Sequence, residues 1–221
     1  MLEMQQFTVT RITELTDQVT EECVDLFIRS FGIGTLVFDS ITEKNPKFRD
    51  AFFRSSILSI FNDPGGEYYV AKNEAGQVVG AAMWFGPGGT VFSSPETRQR
   101  FIDTLLSKVS AETRKWWLET YGPTVGRIMK EAVPPNGHID TWYLLLIGVL
   151  PEYRRLGIAT SLIKTVERKA QGSILSVTAA EDYTAKVYQG LGFEIGGQDE
   201  IWTPEGPHSP VFALKKDLKL D

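Results

Sequence analysis

The sequence has one cysteine and only two histidines among its 221 residues, which limits the chemistry that it can carry. A single cysteine, Cys23, excludes an internal disulfide framework and a cysteine-rich zinc site. Cys23 falls on the apolar side of a predicted helix, which indicates an ordinary buried thiol. We predict no metal site.

Positive charge and long apolar runs are also scarce. Acidic residues number 28 against 23 lysines and arginines, so the formal net charge is −5. A nucleic-acid surface would need a basic patch, whereas a mildly acidic protein suits a cationic partner such as an amine. The longest uncharged apolar run, Trp142 to Leu150, is shorter than the roughly 20 residues of a membrane helix. The first ten residues lack the layout of a signal peptide. We therefore expect a soluble, cytoplasmic monomer or homodimer, without nucleic-acid or membrane partners.

The order of the predicted elements indicates a single α/β domain spanning residues 1–221. The sheet that they imply contains both parallel and antiparallel pairs. Period-2 patterns and buried runs predict the strands, and helical spacing and capping residues predict the helices. The predicted strands are Phe7–Arg11, Glu67–Lys72, Gln77–Phe85, His138–Val149, Ile174–Ala179, Phe193–Trp202 and Val211–Leu214. The predicted helices follow Thr16, Pro46 and Gly157 or span Ser94–Ala132 and Glu181–Gly190.

An aromatic-rich helical insertion, about residues 88–137, separates the predicted hairpin from the apolar central strand. Trp116 and Trp117 are adjacent in it, so on a helix their side chains diverge by about 100°. One of them is expected in the core. The other, Trp117, could line a site for a cationic or flat amine. Plain packing is the alternative for both side chains.

The stretch VLPEYRRLGIATSL, from Val149 to Leu162, places two arginines and a glycine between a predicted strand and a predicted helix. A helix N-terminus leaves backbone N–H groups unpaired, and its dipole favours negative charge. Gly157 lets a ligand approach the backbone, because glycine has no Cβ. Residues Arg154 to Thr160 could therefore cradle a pyrophosphate. A simple turn with solvated arginines is the alternative.

This block resembles the signature of the GNAT superfamily of N-acyltransferases: valine, one residue, proline, and then Arg-x-x-Gly-x-Ala. In that family the corner binds the pyrophosphate of acetyl-CoA, so the resemblance implies acetyl-CoA as the co-substrate. It also implies a splay in the preceding strand that exposes backbone N–H groups to the thioester and the pantetheine arm. We expect this disruption around Ile147 to Val149, where such groups could stabilise the developing oxyanion. The implied cofactor-binding residues are Ile147, Val149, Arg154, Arg155, Leu156, Gly157, Ile158, Ala159 and Thr160.

A second block, Val187-Tyr188-Gln189-Gly190-Leu191-Gly192-Phe193, resembles the family's Tyr-x-x-x-Gly-Phe ending. With both blocks in register, the resemblance implies a mixed, mostly antiparallel central sheet flanked by helices. The chain departs from the family pattern at two points, one that concerns the cofactor and one that concerns the acceptor. Glu181 stands where the family often has an asparagine that contacts the cofactor, and the insertion is longer than in a minimal member.

Acyl transfer to an amine needs a neutral amine aimed at the thioester carbonyl and a proton for the leaving thiolate. The family often uses the tyrosine that Tyr188 matches as this acid, and an ordinary tyrosine is protonated at neutral pH. A tyrosine that is only packed is the alternative.

The sequence leaves the identity of the proton acceptor open. Strand alternation places His138, Asp140 and Trp142 on one face. The first two could relay the amine proton through water while Trp142 packs on the substrate. Glu181 is a second candidate base, and a polar strand end in solvent is the alternative.

We therefore expect an acetyl-CoA-dependent N-acetyltransferase in which a small-molecule amine attacks the thioester directly. One alternative is a protein-lysine or N-terminal acetyltransferase, which would need a groove open to an extended peptide. We expect the long insertion to close such a groove rather than to open it. Another alternative is a non-catalytic acyl-CoA-binding module, against which the presence of Tyr188 argues.

Overall fold

The computed structural model describes residues 7–89, 99, 103 and 106–219. The strands are β1 (Phe7–Ile12), β2 (Gly66–Asn73), β3 (Val78–Phe85), β4 (Trp142–Val149), β5 (Ile174–Ala179), β6 (Glu194–Trp202) and β7 (His208–Asp217). The α-helices are α1 (Asp17–Phe31), α2 (Leu36–Thr42), α3 (Pro46–Asn62), α4 (Ala111–Trp116), α5 (Gly122–Ala132), α6 (Ile158–Glu167) and α7 (Asp182–Gly190).

Within the described residues these strands form one sheet in the order β1-β2-β3-β4-β5-β7-β6. Every neighbouring pair is antiparallel except β4–β5, which is parallel. The parallel pair arises because α6 carries the chain from the end of β4 back to the start of β5. The predicted α/β class, with a mixed and mostly antiparallel sheet, is confirmed. Among the described helices, none combines the length and the apolar character that crossing a bilayer requires.

Local signals account for the helices of the first half. Thr16 Oγ1 accepts a hydrogen bond from the Val19 N–H and caps α1, and Asn45 caps α3 in the same way. Both predicted helices are confirmed. The seven-residue helix α2 was not predicted, because two turns are too short to establish a helical period. Cys23 in α1 is fully buried, and burial raises its pKa to about 11, as expected of an inert thiol.

Helices cover the central strands on both faces. A Cβ at Gly148 of β4 would lie 2.5 Å from Ser30 Oγ of α1. A Cβ at Gly80 of β3 would lie 2.5 Å from Ile158 Cγ2 of α6. These two glycines let the backbones of the sheet and the helices approach closely. Coverage on both sides explains why β4 is apolar along its whole length.

The described part of the insertion consists of α4, a π-helical turn at Trp117–Tyr121, and α5. Helix α5 lies on β6, where Gly196 and Gly197 leave room for its backbone. A Cβ at Gly196 would lie 2.7 Å from the Ala132 Cα. The predicted helical end at Ala132 is confirmed, and the predicted start at Ser94 lies outside the described residues.

The predicted strand that starts at His138 begins too early. Residues Gly137–Asp140 form a 3₁₀ helix instead, and β4 begins at Trp142. Thr141 closes this turn by donating from its N–H (3.1 Å) and its Oγ1 (2.9 Å) to the His138 carbonyl. Side-chain alternation therefore does not relate His138, Asp140 and Trp142, and that prediction is wrong.

Candidate active site

A gap opens between β4 and β5 in the middle of the sheet. The two strands pair only over Trp142–Leu144 and Leu175–Val177, whereas β4 continues beside β3 as far as Val149. From Leu145 to Val149, β4 therefore has no strand partner on its β5 side among the described residues. Backbone N–H and C=O groups that face this gap are available to a ligand.

A β-bulge marks the point where the gap begins. Met83 of β3 pairs with Leu146 and the next residue, Trp84, pairs with Leu144, so Leu145 is an extra residue in β4. Bulges leave backbone groups unpaired and turn the strand locally. The disruption expected around Ile147 to Val149 thus starts two residues earlier, and Ile147 and Val149 lie in the open stretch that follows it.

The N-terminus of α6 lies directly after this open stretch. Its N-cap is Gly157, and no side chain caps the helix. Ser161 N–H makes the first helical hydrogen bond, to the Gly157 carbonyl at 2.9 Å. The amides of Ile158, Ala159 and Thr160 therefore lack helical acceptors. No acidic residue occupies the first turn, so the positive end of the helix dipole is not neutralised there.

Two left-handed residues shape the corner before α6. Arg155 has φ 64° and Gly157 has φ 79°, and such alternating conformations direct successive N–H groups into one concave surface that suits an anion. A Cβ at Gly157 would meet nothing within 4 Å. The space beside Gly157 is therefore open to a ligand. We call the backbone amides of Arg155 to Thr160 the cradle; Leu156 within it is exposed.

The side chains of the corner contact α1. Arg154 Nη2 donates to the Ser30 carbonyl oxygen at 2.7 Å, and Arg29 forms an ion pair with Glu152 at 2.7 Å. Arg155 is exposed. Sequence reasoning grouped both arginines with the cofactor, but the structure joins Arg154 to a helix more than a hundred residues away in the chain.

Tyr188 of α7 is buried, and its ring packs edge-to-face on Phe193 with 5.6 Å between ring centroids. Burial, together with the neighbouring Tyr143, raises the pKa of Tyr188 well above its usual value. The phenol therefore stays protonated at neutral pH, which is the state that a proton donor needs.

Tyr143 and Tyr121 extend this group, and sequence reasoning missed both. Tyr143 lies on β4 immediately before the gap, and its hydroxyl is 3.2 Å from Thr178 Oγ1 beyond the last β4–β5 pair. Burial and Tyr143 also raise the pKa of Tyr121. We call Tyr121, Tyr143 and Tyr188 the tyrosine cluster. Its only signal in the sequence was the strand position of Tyr143, opposite in face to Trp142.

The candidate bases lie in different surroundings. His138 is partly buried, its ring is 4.7 Å from the Tyr143 ring, and burial lowers its pKa, which favours the neutral imidazole. Asp140 is exposed and accepts a hydrogen bond from Asn136 Nδ2 at 2.9 Å. Glu181 precedes α7 at its N-cap position. The structure therefore brings His138, and not Asp140, against the tyrosine cluster.

The three tryptophans near the site also differ in their surroundings. Trp116 is buried and its Nε1 donates to the Trp202 carbonyl at 2.6 Å. Trp117 is partly exposed and packs against Tyr121 in a tilted arrangement, with 4.7 Å between ring centroids. Trp142 lies under the ammonium group of Lys169, 4.8 Å from its ring centroid. Of the two predicted substrate-binding tryptophans, Trp117 has a ring contact with the tyrosine cluster. The buried Trp116 has one as well, with 5.5 Å between its ring centroid and that of Tyr121.

Comparison with known proteins agrees with this geometry. A family model described as "Acetyltransferase (GNAT) family" matches residues 22–193. A curated relative from Dictyostelium discoideum, named a probable serine/threonine-protein kinase, is 25% identical over 179 residues. That match includes 79% of this chain, which spans only 18% of the relative's length.

Solved structures share the fold over nearly the whole chain. The histone acetyltransferase HPA2 and related acetyltransferase from Corynebacterium glutamicum has a TM-score of 0.63 at 20% identity, covering 97% of this chain and 98% of that one. Arylalkylamine N-acetyltransferase 2 from Aedes aegypti has a TM-score of 0.66 at 15% identity, with coverage of 97% and 100%. An aminoglycoside 6′-N-acetyltransferase complexed with coenzyme A has a TM-score of 0.53 at 11% identity, with coverage of 95% and 96%.

Proposed function

Because the chain belongs to the acetyltransferase (GNAT) family of acyltransferases, we propose that it transfers an acetyl group from acetyl-CoA to the nitrogen of a small-molecule amine. The observation that carries this proposal is the uncapped N-terminus of α6 beside the open edge of β4. The first feature offers a site for phosphate groups and the second offers one for an extended amide chain. Acetyl-CoA contains both, and the family uses it.

The cradle holds the diphosphate of the co-substrate. The free amides of Ile158, Ala159 and Thr160 donate to its oxygens, and the helix dipole favours the negative charge. The pantetheine arm then lies along the unpaired edge of β4, where Ile147 and Val149 offer backbone groups as a neighbouring strand would. This arrangement directs the thioester toward the bulge at Leu145.

The chemical step is direct attack. The nitrogen lone pair forms the new C–N bond at the thioester carbonyl carbon, the C–S bond breaks, and the sulfur takes a proton from Tyr188. An unpaired N–H at the bulge stabilises the oxyanion that develops. The amine gives up one proton, so the reaction is balanced when that proton reaches a base and Tyr188 is reprotonated from solvent.

His138 is the base that the structure favours over Asp140 and Glu181. Its pKa is lowered by burial, so its imidazole is neutral and able to accept a proton. It also contacts Tyr143, which in turn neighbours Tyr188. Acid and base would therefore share Tyr143 as a neighbour, at the start of the gap between β4 and β5.

The acceptor is a small amine because the insertion lies next to the catalytic groups. Tyr121, in the π-helical turn of the insertion, neighbours Tyr143, and the ring of Trp117 packs against Tyr121. An amine that reaches Tyr188 would meet the faces of these rings, and ring faces attract cationic and flat groups. The likeness to the arylalkylamine N-acetyltransferase of Aedes aegypti supports this choice.

The test is CoA release from acetyl-CoA in the presence of a panel of amines, detected as free thiol. We expect turnover with at least one arylalkylamine or polyamine and little with histone or N-terminal peptides. Turnover only with peptides would favour a protein acetyltransferase, the activity in the name of the Corynebacterium glutamicum neighbour. Acetyl-CoA binding without turnover on any amine or peptide would favour a non-catalytic module.

A further inference from the structure

Two pairs of hydroxyl groups join β4 and β5 on one face of the sheet. Thr141 Oγ1 bonds with Ser176 Oγ, and the Tyr143 hydroxyl lies 3.2 Å from Thr178 Oγ1. Because side chains alternate along a strand, the two members at the start of β4 share a face, and so do the two members on β5. The two pairs therefore form a short row of hydroxyl bonds across the strands.

The two pairs differ in the backbone around them. The pairing of β4 with β5 ends at Leu144 and Val177. Ser176 lies inside the paired stretch, whereas Thr178 lies one residue beyond it, where its backbone pairs with β7. The contact of Tyr143 with Thr178 therefore joins the two strands at the start of the gap. We call these two side chains the hydroxyl bridge.

The hydroxyl bridge lies on the face of the sheet opposite to α6. Trp142 points to the α6 face, where its ring lies 4.8 Å from the ammonium group of Lys169, two residues after that helix. Tyr143, the next residue, points to the other face. There its ring is 4.7 Å from the His138 ring, and it neighbours Tyr121 of the insertion. An amine that enters from the insertion would therefore meet the Tyr143 hydroxyl, with the cradle across the sheet.

The direction of the Tyr143 proton decides what this hydroxyl offers to an amine. Tyr143 is buried, and burial raises its pKa, so the phenol is protonated at neutral pH. A phenol has one proton to donate and lone pairs that accept. With its proton directed to Thr178, Tyr143 can accept an N–H of the amine and leave the nitrogen lone pair free. Without that partner, the phenol could donate to the nitrogen lone pair and block its attack.

We propose that the Tyr143 oxygen binds an N–H of the amine and that Thr178 is a positioning residue, which accepts the Tyr143 proton and so leaves the nitrogen lone pair for the thioester. This inference rests on the proposed function. The separation of 3.2 Å is longer than the usual 2.5–3.0 Å of a hydroxyl pair. Hydrogen bonds of this kind often shorten in the substrate complex.

The first test is a double-mutant cycle of Tyr143→Phe and Thr178→Val, each of which removes one hydroxyl and keeps the side-chain shape. Thr178→Val should lower kcat about 10-fold without raising the amine KM, because the amine can still bind the phenol in the wrong direction. Tyr143→Phe should lower kcat/KM for the amine about 10-fold, and the double variant should lose no more. The KM for acetyl-CoA should be unchanged throughout. Wild-type kcat in Thr178→Val, or losses that multiply in the double variant, would overturn the proposal.

Two further variants and a pH profile distinguish positioning from packing. Thr178→Ser keeps a hydroxyl and should restore most of the kcat that Thr178→Val loses. Ser176→Ala, on the same face of β5 but inside the paired stretch, is the matched control and should keep wild-type kinetics. The low-pH limb of kcat/KM should keep its midpoint in Thr178→Val, because the ring contact between His138 and Tyr143 remains. A serine variant no better than valine, an equal loss in Ser176→Ala, or a shifted midpoint would contradict the positioning role.

Urea unfolding of the same cycle needs no substrate. If the two hydroxyls are bonded, Tyr143→Phe and Thr178→Val should shift the unfolding midpoint by less together than the sum of their separate shifts. Additive shifts would mean that Thr178 does not hold Tyr143, and would overturn the proposal. If the wild type released no CoA with any amine, the proposed function would fail, and the unfolding cycle would still decide whether Thr178 holds Tyr143.

Discussion

At the scale of single residues, burial sets the protonation states around the gap. It raises the pKa of Tyr188 and lowers that of His138, because a low-dielectric surrounding disfavours the charged form of either group. The phenol is therefore kept as a proton donor and the imidazole as a proton acceptor at neutral pH. Surroundings that shift the pKa values of two groups apart are typical of acid–base pairs.

Tyr188→Phe removes only the hydroxyl and keeps the ring packed on Phe193. We expect kcat to fall by roughly 10²- to 10⁴-fold, the range of a lost general acid, with acetyl-CoA affinity nearly unchanged. Steady-state kinetics and calorimetry provide the measurements. Tyr183→Phe, on the same helix but 74% exposed, is the matched control and should keep wild-type turnover. Equal activity in both variants would make Tyr188 a packing residue.

His138 makes stability depend on pH in a defined direction. Because its folded pKa is lowered by burial, the unfolded chain binds the proton first as the pH falls below about 6.5. The free energy of unfolding of the wild type should therefore decline relative to His138→Gln between neutral pH and pH 5, and should run parallel to it above neutral pH. Urea unfolding at several pH values measures this difference. Parallel curves throughout would mean that His138 is not held neutral.

At the scale of elements, the proposed co-substrate site consists of a strand, a corner and a helix that follow one another along the chain. β4 loses its β5 partner after Leu144, the bulge follows, and α6 begins within nine residues of Val149 with its amides free. Each feature alone is common in proteins. Their succession places an unpaired strand edge and an anion-binding helix end along one line, which matches a ligand with an amide arm and a diphosphate.

Gly157→Val tests the cradle, and the chain offers a close control in Gly76. Both glycines have φ 79°, and a Cβ at either would meet nothing within 4 Å. Valine should therefore cost a similar, roughly 1–2 kcal/mol, backbone strain at each position. Only Gly157→Val should weaken acetyl-CoA binding, by about 10-fold or more, because its side chain fills space beside the cradle amides. Unchanged affinity in folded Gly157→Val would remove the cradle from the site.

At the scale of the whole molecule, the proposed function assigns the two substrates to different parts of the chain. The proposed co-substrate side runs from the open stretch of β4 to α7, and the proposed amine side is the insertion between β3 and β4. The tyrosine cluster joins these parts, since Tyr121 belongs to the insertion, Tyr143 to β4 and Tyr188 to α7. Changes in the insertion should therefore alter amine kinetics and leave acetyl-CoA binding intact.

Substitutions of the adjacent Trp116 and Trp117 distinguish a packing role of the insertion from a binding role. Trp116→Ala should lower the free energy of unfolding by about 3–5 kcal/mol, because it empties a buried site and orphans the Trp202 carbonyl. Trp117→Ala should raise the amine KM roughly 3- to 30-fold, the range of a lost cation–π contact. Denaturant unfolding and steady-state kinetics give the two quantities. If Trp117→Ala only lowered stability, the amine would bind elsewhere.

The short motifs were readable from the sequence because their geometry is local. Gly157 at a left-handed N-cap, free amides after it, and Tyr188 near the end of a short helix all depend on residues a few positions apart, and the fold class followed from the order of such elements. The predicted start of β4 failed because an apolar pattern does not reveal a 3₁₀ turn closed by Thr141.

Tertiary structure alone decided the partners of those motifs. The hydrogen bond from Arg154 to Ser30 and the proximity of Tyr121 to Tyr143 join segments that the chain order does not relate, and the end of β4–β5 pairing after Leu144 separates two neighbouring strands. Such contacts depend on how strands diverge and helices pack, and no periodicity along the chain encodes that. The sequence by itself therefore determined the fold class and the local geometry of the corner before α6. Only the packed structure decided that Arg154 contacts the end of α1 and that the open stretch of β4 begins after Leu144.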